Sequence, residues 1–105
     1  MNKQKIYDYM INRGFEVIGT GGNCEAYQIF MDDEKQWELL IAQDCSLPID
    51  DGETDKDIAA VLYDVKTGDY VGESSGTLAD CLHWYEYAAS EIIADIEEDL
   101  FDGRA

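Results

Sequence analysis

The clearest pattern of apolar and polar positions lies in the C-terminal part of the chain, from Thr77 to Asp102. Apolar residues recur there at steps of three and four, the spacing of one helix face docked on a core. This apolar stripe consists of Leu78, Leu82, Tyr85, Ala89, Ile92, Ile96 and Leu100. Thr77 and Asp80 have the spacing of a capping box, and Gly103 is suited to end the helix. The pattern therefore predicts one long helix over Thr77–Asp102.

The opposite face of this predicted helix is acidic and carries two aromatic rings. Its positions are Asp80, Trp84, Tyr87, Glu91, Asp95, Glu98 and Asp102. Every residue between Thr77 and Asp102 that is charged at neutral pH is acidic, and carboxylates spaced i,i+4 destabilise a helix. Exposed aromatic side chains are enriched at protein interfaces. We therefore take this face as the candidate partner-binding surface. The alternative is that its carboxylates are only solvated and that other elements cover Trp84 and Tyr87.

The rest of the chain predicts a short helix followed by about five strands. In Asn2–Arg13, Ile6 and Met10 share one helical face, and Gly14 suits the position after the helix. Apolar runs between turn residues predict strands at Phe15–Thr20, Cys24–Met31, Gln36–Gln43, Ile58–Val65 and Tyr70–Ser74. The third has apolar residues on both faces, which indicates a central position in the sheet. Its apolar positions are Trp37, Leu39 and Ile41 on one face and Leu40 and Ala42 on the other.

The connections decide how these strands are arranged. All are too short for a parallel crossover except Asp44–Asp57, which has no helical pattern. The sequence therefore predicts a single domain over residues 1–105 of the α+β class. An antiparallel sheet of about five strands carries the short N-terminal helix and the long C-terminal helix packed on one face.

The composition limits the kinds of partner. The chain has 24 acidic and 7 basic residues and a net charge of −17, whereas roughly 2–8 charges are typical of a small soluble domain. Such a charge argues against direct binding to nucleic acid or to an anionic membrane and favours a basic protein partner. The three cysteines are an odd number and lie far apart, which favours a reducing, cytoplasmic location. The N-terminus lacks the apolar run of a signal peptide.

Three motifs invite a chemical interpretation, and each has a simpler alternative. Gly19–Asn23 is rich in glycine, but a strand rather than a helix follows it, which favours a hairpin turn over a phosphate loop. The acidic residues of Asp51–Asp57 alternate, but a calcium loop would have its glycine and its final Glu at other positions. His83 is the only histidine, and a pairing with Cys24 or Cys45 would be needed for a nucleophilic dyad. We predict no catalytic residue, metal or cofactor, and hence no enzyme.

The N-terminal part of the chain resembles a group of small hypothetical proteins of phages and mobile elements. The similarity covers the first 45 residues or so: a helix, a Gly-Phe strand start, and the run Gly19-Thr20-Gly21-Gly22-Asn23-Cys24-Glu25-Ala26. By size and charge, the chain also resembles phage-encoded DNA mimics, namely anti-restriction proteins, anti-CRISPR proteins and uracil-glycosylase inhibitors. That resemblance implies an inhibitor that occupies the basic groove of a nucleic-acid-binding protein. The alternative is a structural or regulatory interaction protein whose acidity serves only solubility.

Overall fold

Five strands form one sheet, with helices at both ends of the chain. The computed structural model describes residues 3–44, 46–48 and 58–102, the last four by their backbone only. In chain order the elements are α1 (Lys3–Asn12), β1 (Glu16–Gly21), β2 (Cys24–Phe30), β3 (Trp37–Gln43), β4 (Ile58–Asp64), β5 (Asp69–Gly76), α2 (Leu78–His83), a π-helical turn (Trp84–Ala88) and α3 (Ala89–Asp102). The α+β architecture and each of the five predicted strands are confirmed, and the strand ends differ from the prediction by at most two residues.

The sheet is an antiparallel meander in the order β1-β2-β3-β4-β5. Each strand pairs with its neighbour in sequence, and β3 lies in the middle, as its two apolar faces predict. Tight connections fix the register. Between β2 and β3, one carboxylate oxygen of Asp32 accepts the backbone N–H groups of Gln36 and Trp37, both at 3.0 Å. The predicted loop Asp44–Asp57 lies mostly outside the described residues.

The alternation along β3 defines the two faces of the sheet. Trp37, Leu39, Ile41 and Gln43 are buried, while Glu38, Leu40 and Ala42 are half-buried. We call the first side the covered face and the second side the open face. The covered face continues onto β4, because Leu39 pairs with Leu62 and Ile41 with Ala60. The fold therefore has one layer of helices on one side of the sheet.

The helices and the covered face share one hydrophobic cluster. Ile6 and Met10 of α1 are fully buried in it, as the shared helical face predicts. From the C-terminal helical segment, the fully or mostly buried members are Leu78, Cys81, Leu82 and Ala89, with Ile92, Ile93 and Ile96 partly buried around them. Burying a large apolar side chain is worth roughly 1.5–3 kcal/mol. This packing confirms that both helices lie on the same face.

The start of the long helical segment is fixed by the predicted capping box. Thr77 Oγ1 accepts the Asp80 N–H, and Asp80 Oδ2 accepts the Thr77 N–H, both at 3.1 Å. The segment then differs from the single regular helix predicted. Over Trp84–Ala88 it widens into a π-helical turn, in which the Ala89 N–H donates to the Trp84 carbonyl. This i→i+5 bond changes which side chains face the sheet, and π-turns are frequent at functional sites.

Candidate functional site

An acidic ridge runs along α3 on the side away from the sheet. Glu91, Asp95 and Glu98 are all exposed, and helical residues three or four apart are neighbours on one surface. Tyr87 lies one turn before Glu91 and is 62% exposed. Within the described residues none of these carboxylates has an ion pair, and the salt bridge found there joins Arg13 to Glu86. We use the name acidic ridge for Tyr87, Glu91, Asp95 and Glu98, which are the exposed members of the predicted surface in this part of the chain.

For Trp84, the structure agrees with the alternative of a covered ring rather than with an exposed anchor. Trp84 is only partly exposed and packs on the hydrophobic cluster. A Cβ placed on Gly72 would lie 3.3 Å from Trp84 Cζ2 and 3.0 Å from Ile92 Cδ1. Because Gly72 pairs with Leu62, it lies on the covered face, so the indole packs directly on β5. A glycine inside the strand is what lets the helix approach this closely.

A second apolar stripe in the sequence could have revealed this packing. Cys81, Trp84 and Ile92 are spaced by three and eight residues, and Cys81 is fully buried. The Cys81 thiol donates to the Ile58 carbonyl at 3.3 Å, so this side of α2 lies against β4. Gly72 was a second signal, because a glycine inside a strand marks a place where another element approaches closely. The spacing of the polar residues instead predicts a regular helix, and in a regular helix Trp84 lies on the same face as those residues.

Asp80 and Asp102 form the two ends of the predicted partner-binding surface. Asp80 is exposed, but its carboxylate caps α2 through the Thr77 N–H, so its first role is structural. Asp102 ends α3, and its side chain lies outside the described part of the chain. The candidate contact surface is therefore the acidic ridge, which does not include Asp80, Trp84 or Asp102.

Beside the ridge lies a cleft that the sequence did not reveal. It has a volume of 510 Å³ and separates α1 from the start of the C-terminal helical segment. Its lining residues are Tyr9, Arg13, Leu78, Ala79, Leu82, His83, Glu86 and Tyr87. The Arg13 guanidinium lies 4.5 Å from the centre of the Tyr9 ring and pairs with Glu86. The His83 ring packs against the Tyr87 ring at an angle of 43°, with ring centres 4.7 Å apart. Arg13 and Glu86 therefore bridge the two helices next to the exposed tyrosine.

Burial and nearby charges shift the pKa values of Arg13 and Tyr85. Burial acts to lower the pKa of Arg13, but its interactions with Tyr9 and Glu86 outweigh burial and raise it. Burial raises the pKa of Tyr85, with Glu86 adding to the effect and Arg13 opposing it. Tyr85 also packs edge-on against Phe15, with ring centres 5.2 Å apart. Both groups therefore keep their usual protonation states at neutral pH, and neither is poised for proton transfer.

The other candidate motifs do not form a chemical site. Gly19–Asn23 makes the β1–β2 hairpin, with positive φ angles at Gly21 and Gly22, which is the predicted turn. His83 lies on the helical layer, whereas Cys24 pairs with Gly21 at the sheet edge. Within residues 3–44, 46–48 and 58–102, there is no cluster of three potential metal ligands. The acidic loop Asp51–Asp57 lies outside the described residues.

One cysteine departs from the interpretation of a reducing environment. Cys24 is disulfide-bonded, and its partner is not among the described residues. Cys81 is a buried thiol. Across the described helices, none combines the length and the apolar character needed to span a bilayer.

Comparison with known proteins found no relative of this chain. The sequence matches no family model, and neither the curated proteins nor the solved structures gave a significant match.

Proposed function

We propose that this protein is a non-catalytic, acidic protein-binding module that contacts a basic partner through the acidic ridge. The observation that carries the proposal is the shared exposure of Glu91, Asp95 and Glu98 without an ion pair in the described structure. Carboxylates left unbalanced on one helix face destabilise that helix, which a partner with Lys and Arg side chains would reverse. Such charges also accelerate encounter with a basic surface.

Tyr87 gives this surface an anchor in addition to charge. Its ring is 62% exposed and is held on one side by His83. Exposed tyrosines that become buried on binding are common hot spots, while the surrounding charges mainly set the association rate. We therefore propose that Tyr87 mainly sets the dissociation rate and that the three carboxylates mainly set the association rate.

The specific form of the proposal is mimicry of nucleic acid. Side chains three or four residues apart on a helix are about 5–6 Å apart, a spacing of the same order as that of phosphates along a strand. A ridge of this kind would enter a groove lined by Lys and Arg and exclude nucleic acid from it. The protein would then act as an inhibitor of a nucleic-acid-binding protein, in line with the resemblance by size and charge to phage-encoded DNA mimics.

Affinity capture with matched variants tests the proposal. The ridge variant carries Glu91→Gln, Asp95→Asn and Glu98→Gln. The control variant carries Asp33→Asn, Glu34→Gln and Asp69→Asn, which remove the same number of exposed carboxylates elsewhere. A partner captured by the wild type and by the control, but not by the ridge variant, supports the proposal. Equal loss with both variants would mean that net charge alone is responsible.

Competition with duplex DNA then tests mimicry. A captured partner that duplex DNA displaces supports a nucleic-acid groove as the binding site. A partner that depends on the ridge but resists DNA supports a basic protein surface of another kind. Surface kinetics separate the two roles: Tyr87→Ala should mainly raise the dissociation rate, at a cost of about 2 kcal/mol. Tyr70→Ala is the control, because Tyr70 is 51% exposed but lies on the open face.

The open face favours a second candidate, an interaction protein that docks through its sheet. Leu40, Val61, Ala42 and Ala59 are only half-buried on this side. They line a shallow depression of 330 Å³, and the helices of the described chain all lie on the other face. In this case Leu40→Ser would abolish capture, whereas the ridge variant would leave it unchanged.

The disulfide of Cys24 also bears on the choice of partner. A nucleic-acid groove implies a cytoplasmic location, where disulfides are rare, whereas a bonded Cys24 favours a basic partner in an oxidising compartment. Alkylating thiols inside the producing cells before lysis measures this directly. Protection of Cys24 from alkylation would favour the oxidising compartment, and its full alkylation would favour the cytoplasm.

A further inference from the structure

The cleft between α1 and the C-terminal helical segment already holds one guanidinium group. Arg13, directly after α1, lies with its guanidinium 4.5 Å from the centre of the Tyr9 ring and pairs with Glu86 on the other side. A guanidinium is planar, so it stacks on an aromatic face and matches the geometry of a carboxylate. The chain therefore shows with its own arginine which kind of side chain this cleft accommodates.

The same cleft offers a second ring and a second carboxylate oxygen. Tyr87 lines it and is 62% exposed, with His83 packed against one side of the ring. The ion pair with Arg13 uses Oε1 of Glu86, and Oε2 has no hydrogen-bond partner within the described part of the chain. Glu86 and Tyr87 are adjacent in the π-helical turn, and such turns are frequent at functional sites.

The size and the charge of the cleft decide what would enter it. Its volume of 510 Å³ lies within the range of small-molecule sites, which suits one long side chain and excludes a folded element. Its lining includes Leu78 and Leu82, which are mostly buried and suit the apolar stem of a long basic side chain. The net charge of −17, together with the acidic ridge that begins at Tyr87, attracts cations and repels anions.

We propose that this cleft binds one arginine side chain of the basic partner, and that Arg13 occupies part of the site in the free protein. The partner's guanidinium stacks on Tyr87 and pairs with Glu86 in competition with Arg13. Because exposed ion pairs are weak, giving up the internal pair costs little. Lysine fits less well, since its ammonium is a compact charge without a planar head. This inference deepens the proposed function and rests on it for the source of the arginine.

Three blocked amino acids test the cleft on the intact chain: the N-acetyl methylamides of arginine, lysine and citrulline. Lysine keeps the charge without the planar head, and citrulline keeps the planar head without the charge. Binding is measured by titration in two-dimensional amide NMR spectra at about 0.15 M NaCl, which screens distant charges. The arginine probe should bind about two- to fivefold more tightly than the lysine probe, with the largest shifts at residues 9–13 and 82–88. The citrulline probe should bind most weakly.

Matched variants assign the preference for arginine to individual side chains. Glu86→Gln should weaken binding of the arginine probe by up to about fivefold, whereas Glu97→Gln, which removes an exposed carboxylate from α3, should change it little. Tyr87→Leu should remove the preference for arginine over lysine, and Tyr87→Phe should keep it. Arg13→Gln should strengthen binding of the arginine probe by up to about fivefold, because Glu86 loses its internal competitor.

Three outcomes would overturn the inference: equal affinity for the arginine and lysine probes, equal weakening by Glu86→Gln and Glu97→Gln, or weaker binding of the arginine probe by Arg13→Gln. The ridge variant separates the inference from the proposed function, because it should weaken both cationic probes alike and leave their ratio unchanged. Loss of the preference for arginine overturns the cleft site and leaves capture through the ridge unaffected. Capture that is indifferent to the ridge variant overturns the proposed function, while the preference of the cleft for arginine persists.

Discussion

The two faces of the sheet are built from the same strands but differ in what lies over them. Along β3, Leu39 is 0% exposed on the covered face, whereas its neighbour Leu40 is half-buried on the open face. Across the strand pair, Leu39 meets Leu62 and Leu40 meets Val61, so both faces are apolar at the centre. The difference comes from the helices, which cover only one side. Stability is therefore concentrated on the covered face, while the open face holds apolar surface that the fold does not use fully.

The same contrast separates the inner and outer sides of α3. Ile92 and Ile96 turn toward the sheet and pack on the cluster, while Glu91 and Asp95 face solvent. The inner side stabilises the fold and the outer side opposes it through like-charge repulsion. A surface that costs stability and has no ion-pair partner in the described part of the chain is a better candidate for binding than one that packs.

The sharpest test of this comparison is a pair of identical substitutions at adjacent positions. Leu39→Ala should destabilise the protein by about 2–5 kcal/mol, as expected for a fully buried leucine. Leu40→Ala should cost less, about 1 kcal/mol, because part of its side chain is already in water. Urea unfolding of both variants measures the difference. Equal losses would mean that something covers the open face as completely as the helices cover the other.

A second prediction concerns the closest contact between the helices and the sheet. Gly72→Ala would place a Cβ 3.0 Å from Ile92 Cδ1, and such overpacking typically costs about 1–3 kcal/mol. Ile92→Val removes Cδ1, so the double variant should lose less stability than the sum of the two single variants. Gly19→Ala is the control, because its nearest neighbour, the Cys24 carbonyl oxygen, would be 3.9 Å away. Additive losses in the double-mutant cycle would show that α3 does not press on β5 at this point.

These contacts also show how far the sequence predicts the fold. The alternation in β3 and the Thr77–Asp80 capping box depend on residues next to each other in the chain, and both are confirmed. The position of Trp84 depends on a π-turn and on Gly72, which lies across the core in a different element. The stripe of Cys81, Trp84 and Ile92 indicates which side of the helical segment is buried, but no periodicity within one segment shows the contact with Gly72. The cleft beside the acidic ridge is not predicted for the same reason, because its walls come from the N-terminal and the C-terminal parts of the chain.

A third, smaller effect should appear at alkaline pH and should again differ between the faces. Burial raises the pKa of Tyr27 above its ordinary value of 10.0. The stability that depends on a protonated Tyr27 is therefore complete below pH 10 and is lost as the pH rises through the folded-state pKa. Tyr27→Phe should reduce the loss of stability between pH 10 and pH 12, measured by urea unfolding at each pH.

A tyrosine on the open face provides the control for this titration. Burial and Glu73 also raise the pKa of Tyr70, but its side chain is 51% exposed. Water screens the charge of an exposed phenolate, so Tyr70→Phe should leave the alkaline loss unchanged. An equal effect of both substitutions would mean that burial on the covered face does not control the titration.

The smallest predicted effect tests whether the acidic ridge opposes folding. Asp95 follows Glu91 by four residues and precedes Glu98 by three, so Asp95→Lys converts two repulsive pairs into attractive ones. We expect a gain of roughly 0.5–1 kcal/mol at low salt and a rise of a few degrees in melting temperature. Most of this gain should vanish in 1 M NaCl, where exposed charges are screened. Asp95→Asn, which only removes the repulsion, should give a smaller gain with the same salt dependence.

If Asp95→Lys also slows association with a captured partner, the same carboxylate lowers stability and promotes binding, as expected of residues retained for function at the expense of stability. If Asp95→Lys destabilises the fold at every salt concentration, Asp95 contributes to packing instead, and the acidic ridge loses its central residue as a binding surface.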